Sequence, residues 1–314
     1  MKVSAIIRII LWSMIAVLLC AVLLGCLSGY GKTGFFSLNN LFPVSLFFED
    51  TDDKNGEYLN GGASLPWEAV HRIEVDWVGG EVQVEVYEGN EIIFEEDGAT
   101  TEERELCYLL QDGALTIRFE QKQSGWNWFS FSPDKVLQLK IPRALLKQLR
   151  EIKIETASAI IRAADVQAEK IVIESVSGNI ELKDMAAQIL ELESVSGKIN
   201  CTGGKAEQLK AENTSGKLQL QGAFEKVKAE NVSGEIYLQM TAGLQEFEGN
   251  SVSGNITLSL PEIQGFTAEV ETVSGSFVSD YSTALQENYH IHGNGASEYD
   301  FETVSGNIYI KKQG

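Results

Sequence analysis

The chain has 314 residues, with 45 Asp and Glu against 25 Lys and Arg, for a formal charge of −20. So acidic a balance argues against a nucleic-acid-binding surface, because neutralising phosphates needs a cationic face. Four cysteines and three histidines are too few for a disulfide scaffold or a Cys-rich zinc domain, while 44% apolar residues suffice for a sizeable core.

The first thirty residues carry only two charges, Lys2 and Arg8, and no acid. Residues 9–27 are an uncharged apolar run, about 28 Å long as a helix, close to the thickness of a bilayer core. The basic residues precede it, so the positive-inside rule places the N-terminus in the cytoplasm and residues from Gly31 outside. No small-x-small cleavage site follows the run. Leu23, Leu24, Gly25 and Cys26 resemble a lipobox, so the alternative to a retained helix is a lipid anchor on Cys26. Either arrangement holds the rest of the chain on the outer face of a membrane.

A tether over 31–66 follows, rich in Phe and Gly, with an acidic cluster at Glu49, Asp50, Asp52 and Asp53. Its phenylalanines belong either at the membrane interface or under the following domain. From Ile73 the sequence alternates apolar and polar residues around Gly79 and Gly80, a period of two that reads as strand. Further strands are expected at 91–95, 115–120 and 136–141, then a short connector over 142–150. The loop 124–132 concentrates aromatic residues, Trp126, Trp128 and Phe129 among them. Such a loop suits stacking on sugar rings, dipping into a membrane, or covering the end of a hydrophobic core.

From residue 151 a repeat takes over. Its Ser-Gly pairs are Ser177-Gly178, Ser196-Gly197, Ser215-Gly216, Ser233-Gly234, Ser253-Gly254, Ser274-Gly275 and Ser305-Gly306, after a degenerate copy at Ser158-Ala159. Successive glycines are 19, 19, 18, 20, 21 and 31 residues apart. Apolar residues alternate on both sides of each pair, as in Ile171, Ile173, Ile180 and Leu182. Nineteen residues hold short strands with tight bends, one turn of a parallel β-solenoid whose coils stack about 4.8 Å apart. The expected architecture is therefore all-β: diverged coils over 67–150 and regular coils over 151–314, after one N-terminal transmembrane helix over 1–30.

Each glycine is expected at a bend, where positive φ or close backbone approach leaves no room for a Cβ. The serines beside them would satisfy backbone groups that the corner leaves unpaired. Counting back by twos from Ser177 puts Ser175, Ile173 and Ile171 on the inner side, and Cys201 becomes a free core thiol. The same parity turns Glu174, Glu193, Glu212, Glu230 and Glu271 outward as an acidic stripe beside a valine stripe; a bend at Ser175 would instead bury the valines. The interval before Gly306 holds an insertion with His290 and His292 on one strand face. A metal pair there lacks a clear third ligand, and no cofactor is expected. The closing Lys311 and Lys312 suit the protected edge of a terminal coil.

The apolar N-terminal span, the strand around Gly79-Gly80 with Trp77, the Ile141-Pro142 segment and the repeated Ser-Gly coils together resemble the DUF4097 family of β-strand-repeat proteins, candidate adhesins common in Firmicutes. The resemblance covers about 67–314 and brings no catalytic residues. It implies a non-catalytic, extracytoplasmic binding or scaffold module at the cell envelope, with an envelope polymer or protein as partner. An envelope-stress regulator is the alternative. A polysaccharide-cleaving β-helix is the third reading, which would need a unique cleft of carboxylates rather than one glutamate per coil.

Overall fold

A computed structural model describes residues 57–98, 105–119 and 135–313. The expected membrane span, most of the tether and the loop with Trp126, Trp128 and Phe129 lie outside the described residues. Among those described, no helix is long and apolar enough to cross a membrane.

The described chain is all-β, 24 strands in one sheet, with a single 3₁₀ turn at Leu145–Lys147. The N-terminal strands are β1 (Leu59–Asn60), β2 (Ala63–Pro66), β3 (Arg72–Trp77), β4 (Glu81–Tyr87), β5 (Glu91–Asp97), β6 (Cys107–Gln111), β7 (Ala114–Arg118) and β8 (Val136–Pro142). The repeats supply β9 (Glu151–Thr156), β10 (Ile160–Ala164), β11 (Lys170–Ser175), β12 (Ile180–Lys183), β13 (Ala186–Ser194), β14 (Ile199–Ser215), β15 (Leu218–Ser233), β16 (Ile236–Met240), β17 (Glu246–Ser253) and β18 (Ile256–Leu260). The last are β19 (Gly265–Ser274), β20 (Phe277–Ser279), β21 (Ala284–Gln286), β22 (Tyr289–Gly293), β23 (Ser297–Ser305) and β24 (Ile308–Lys312).

Each coil is a strand, a glycine corner and a second strand. The strands before the corners pair in parallel as one ladder, β9 with β11 and β11 with β13; those after the corners form a second, β10 with β12 and β12 with β14. The long strands β14 and β15 take part in both ladders. Alternation sends one apolar row of each strand inward, so Ile154, Ile173, Leu192 and Ala211 stack rung on rung with 0–1% exposure. Burying each larger side chain contributes roughly 1.5–3 kcal/mol. Towards the C-terminal coils aromatic rings fill the same space, with Phe247 5.1 Å from Phe301 and Phe266 5.3 Å from Tyr299.

The corners explain the glycines. A Cβ on Gly197 would overlap the carbonyl oxygen of Gly178, and one on Gly234 would overlap that of Gly216. Close stacking, rather than left-handed backbone, excludes a side chain at Gly178 and Gly197. The inner polar position is two residues earlier than the Ser-Gly serine. Ser175, Ser194, Asn213, Asn231, Ser251 and Thr303 are buried, whereas Ser177, Ser196 and the matching serines are exposed. This corrects the inward expectation for Ser177: the bend falls between it and the preceding strand, and the parity breaks there. Ser177 Oγ still donates to the Ala157 carbonyl of the coil before, 3.1 Å away, and Ser196 Oγ to that of Val176 at 3.3 Å.

Stacking order departs from chain order at both ends. β3 and β4 lie between β7/β8 on one side and β9/β10 on the other. At the far end β17 and β18 pair with β23 and β24, and only beyond them come β19 and β20. The chain therefore skips a slot, turns back through β21 and β22, and fills the slot with its last coil. Lys311 and Lys312 consequently lie on an interior strand, not at the terminal edge, and Lys312 pairs with Glu262. The 31-residue glycine interval is the length needed for that return. Both outermost coils carry antiparallel strands, β6 on β7 and β5 on β8 at one end, β22 on the start of β19 at the other.

Candidate functional site

The outer side of the first ladder brings the glutamates together. Glu174, Glu193, Glu212 and Glu230 occupy consecutive rungs in direct register. Asp76 and Glu155 precede them, and Asn250, Glu302 and Glu271 follow in that spatial order. All are half-buried, and the valines beside them, Val176, Val195 and Val232, are partly covered. Parallel strands set the carboxylates about 5 Å apart, where two like charges repel by roughly 1 kcal/mol even in bulk water.

A second row answers this repulsion. Two residues upstream on the same face stand Lys153, Lys210 and Lys228, with Val172 and Glu191 on the two rungs between Lys153 and Lys210. Lys153 Nζ is 2.9 Å from Glu155; Lys210 lies 3.0 Å from Glu193 and 2.9 Å from Glu212; Lys228 lies 3.0 Å from Glu230 and 3.1 Å from Glu248. Burial works against the charged Lys210 ammonium, but its bonds to Glu212 and Glu193 outweigh this and raise its pKa. Desolvation is the larger influence on the acids. It raises the Glu212 pKa despite Lys210, and it raises Asp76 to about 6, helped by the Glu155 carboxylate and opposed by Arg118 at 3.3 Å. The lysine row went unread in the sequence, although its signal is there: Lys153-Ile-Glu155, Lys210-Ala-Glu212 and Lys228-Ala-Glu230 repeat one spacing.

Compensation fades towards the C-terminal coils. In the rung row of Lys210 and Lys228 the next residues are Glu248, Asp300 and Glu269. Glu298 and Glu302 add to them, and the Glu302 pKa is raised by burial, then by Asp300 and Glu271. A shallow groove of 680 Å³ runs across the rungs here, between Lys210, Lys226, Glu246, Glu248 and Glu298.

Other candidates resolve into packing. His292 Nδ1 is 2.9 Å from the Ser282 carbonyl, and the His290 ring lies 4.3 Å from that of Phe277. Among the described residues no group of three His, Cys, Asp or Glu side chains converges as a metal site. Cys201 is a buried free thiol, pushed by burial up to about 12. Lys135, 2% exposed, is 2.8 Å from the 5% exposed Glu96, and its ammonium sits 4.0 Å from the Phe119 ring centre and 5.3 Å from that of Trp77. This pair lies buried at the N-terminal end of the stack, where each charge depends on the other.

The same architecture occurs in a solved structure. A candidate lipid-binding protein from Parabacteroides distasonis ATCC 8503 is 16% identical, covering 83% of this chain and 98% of its own, with a TM-score of 0.50. A candidate adhesin from Bacteroides fragilis NCTC 9343 is 12% identical over 81% of this chain and 97% of its own, with a TM-score of 0.49. No curated protein matches the chain. The family model described as Toastrack DUF4097 matches residues 70–311, nearly the whole stack of coils. The chain belongs to the Toastrack DUF4097 family.

Proposed function

We propose that this protein is a non-catalytic binding or scaffold module at a bacterial cell envelope, held to the membrane by its N-terminal segment, as a retained helix or through a lipid on Cys26. The observation that carries the reading is the charged ladder. Glutamate recurs on five successive rungs, Glu155, Glu174, Glu193, Glu212 and Glu230, with a lysine two residues upstream of three of them, which makes a repeating surface for an extended partner rather than a single reaction centre. The apolar run 9–27 behind Lys2 and Arg8 supports the anchorage and its orientation. Asp76 and Glu155 are adjacent carboxylates with raised pKa values, but Arg118 and Lys153 pair with them, which suits an ion-pair network better than an acid–base couple.

The test is capture from a solubilised envelope fraction by the full chain. Retention of an envelope protein or polymer that weakens with salt, and weakens again in Lys210→Met/Lys228→Met, supports the reading. Capture of nothing above background overturns it. Membrane anchorage is checked separately: the chain should stay with the membrane in alkaline carbonate, and its repeats should be digested by protease added to intact protoplasts.

A further inference from the structure

The C-terminal end of the stack has an edge that its own chain leaves unpaired. β22 covers the outermost strand β19 only over Gly265–Glu269. Beyond that point, among the described residues, no strand pairs with 270–279 on the side away from β23 and β24. The inner row shows the consequence: Ala268 is buried, Val270 half-buried and Thr272 exposed, whereas their rung neighbours Tyr299, Phe301 and Thr303 are all buried. Val273 is 67% exposed and Val278 48%. Segment 270–279 has no proline and no lysine, the usual guards of a free edge.

We propose that this edge is a docking site for an extended, basic segment of a protein partner, which adds as one more strand beside 270–274. Backbone pairing supplies the mode, since a row of free N–H and C=O groups accepts a strand and little else. Charge selects the occupant. Glu269 and Glu271 stand on the edge strand, with Glu298, Asp300 and Glu302 on the strand behind it. Lys311 and Lys312 belong to the other ladder, beyond the corner. An added strand with Lys or Arg next to Glu271 would place a cation where the lysine row runs out, and an apolar residue beside it would cover Val270. A second copy of this chain is disfavoured, because pairing two such ends would bring the two acidic patches together on chains of charge −20.

The inference deepens the binding role proposed above and rests on it. Its test uses the full chain and a labelled peptide copying 297–312, the segment that already occupies the inner side of this coil, with Glu298→Lys, Asp300→Lys and Glu302→Lys. Fluorescence anisotropy should show saturable binding, at least tenfold tighter than for the unaltered acidic peptide, and weaker in high salt. The Gln264 carbonyl accepts the Asn294 N–H on the β22 side, so the even residues of β19 face outward; Thr272→Pro therefore removes an outward N–H that, among the described residues, no strand accepts, and should weaken binding at least tenfold without shifting the unfolding curve. Should that variant unfold, Glu271→Lys on the exposed rim should erase or reverse the preference between peptides. No binding, equal binding of both peptides, or indifference to both variants overturns the proposal. So does concentration-dependent dimerisation of the chain that Thr272→Pro abolishes, which would make the occupant a second copy. Envelope capture that survives Thr272→Pro would overturn this site and leave the broader binding role standing.

Discussion

The two ends of the stack solve the same problem differently. At the N-terminal end the outermost coil is covered on both of its strands, by β6 on β7 and by β5 on β8. Beneath them Lys135 and Glu96 form a buried ion pair against Trp77 and Phe119. At the C-terminal end only half of one strand is covered, the inner row becomes exposed within two positions, and carboxylates outnumber lysines. A parallel coil cannot end without leaving an edge. One end closes that edge with its own chain; the other closes it only as far as Glu269. The first is built for stability, and the second keeps pairing capacity for something else.

The closed end should be the easier to break. Lys135→Met leaves the Glu96 carboxylate buried without its counter-charge and should cost about 3–5 kcal/mol in urea denaturation. Adding Glu96→Leu should recover most of that loss. An intermediate effect is expected from the glycines. Gly197→Ala drives a methyl into the Gly178 carbonyl between two fixed coils and should cost at least ~3 kcal/mol. Gly275→Ala meets the Gly306 carbonyl in the same way, but the open end coil is free to shift outward, so its cost should be clearly smaller. Equal losses at both positions would mean that the end coil is held as firmly as the middle.

Smaller differences separate the corners. In the early coils the serine hydroxyl accepts the corner N–H, with Gly178 N to Ser175 Oγ and Gly197 N to Ser194 Oγ both at 2.9 Å. In the later coils the glycine N–H goes to the next coil's backbone instead, as from Gly234 to Ser253 at 3.1 Å, and Ser251 Oγ has no hydrogen-bond partner. Ser194→Ala should therefore cost about 1–3 kcal/mol, and Ser251→Ala should be neutral or slightly stabilising. The smallest effect is a pH dependence. Asp76 titrates at about 6 in the folded chain against 3.8 for the free group, so the fold holds that proton more tightly than the unfolded chain does. Stability should then gain a contribution as pH falls from about 7 towards 4, and Asp76→Asn should lack that part of the gain.

Much of this architecture was legible in the sequence, and the limits have physical causes. Period-two alternation and the recurring glycines gave the strands, the corners and the outward glutamates, because one repeated geometry imposes one repeated pattern. The inner position of Ser175 was reached by parity, but Ser177 was carried inward with it because a corner breaks parity without a mark in composition. Stacking order was not legible. β5, β6 and β22 alternate like any ladder strand, and alternation does not tell a parallel neighbour from an antiparallel cover. The acidic half of the site was read, while the lysines two residues upstream were passed over because each, taken alone, looks like an ordinary solvated residue.

Amide hydrogen exchange tests the unequal ends and the skipped slot together. If the last coil in the chain lies inside the stack, amides of 299–310 should be protected close to the level of global unfolding, while those of Thr272 and Phe277 exchange rapidly. Rapid exchange through 297–312 with strong protection at 270–279 would place the chain's last coil at the edge instead, and would contradict the open docking end.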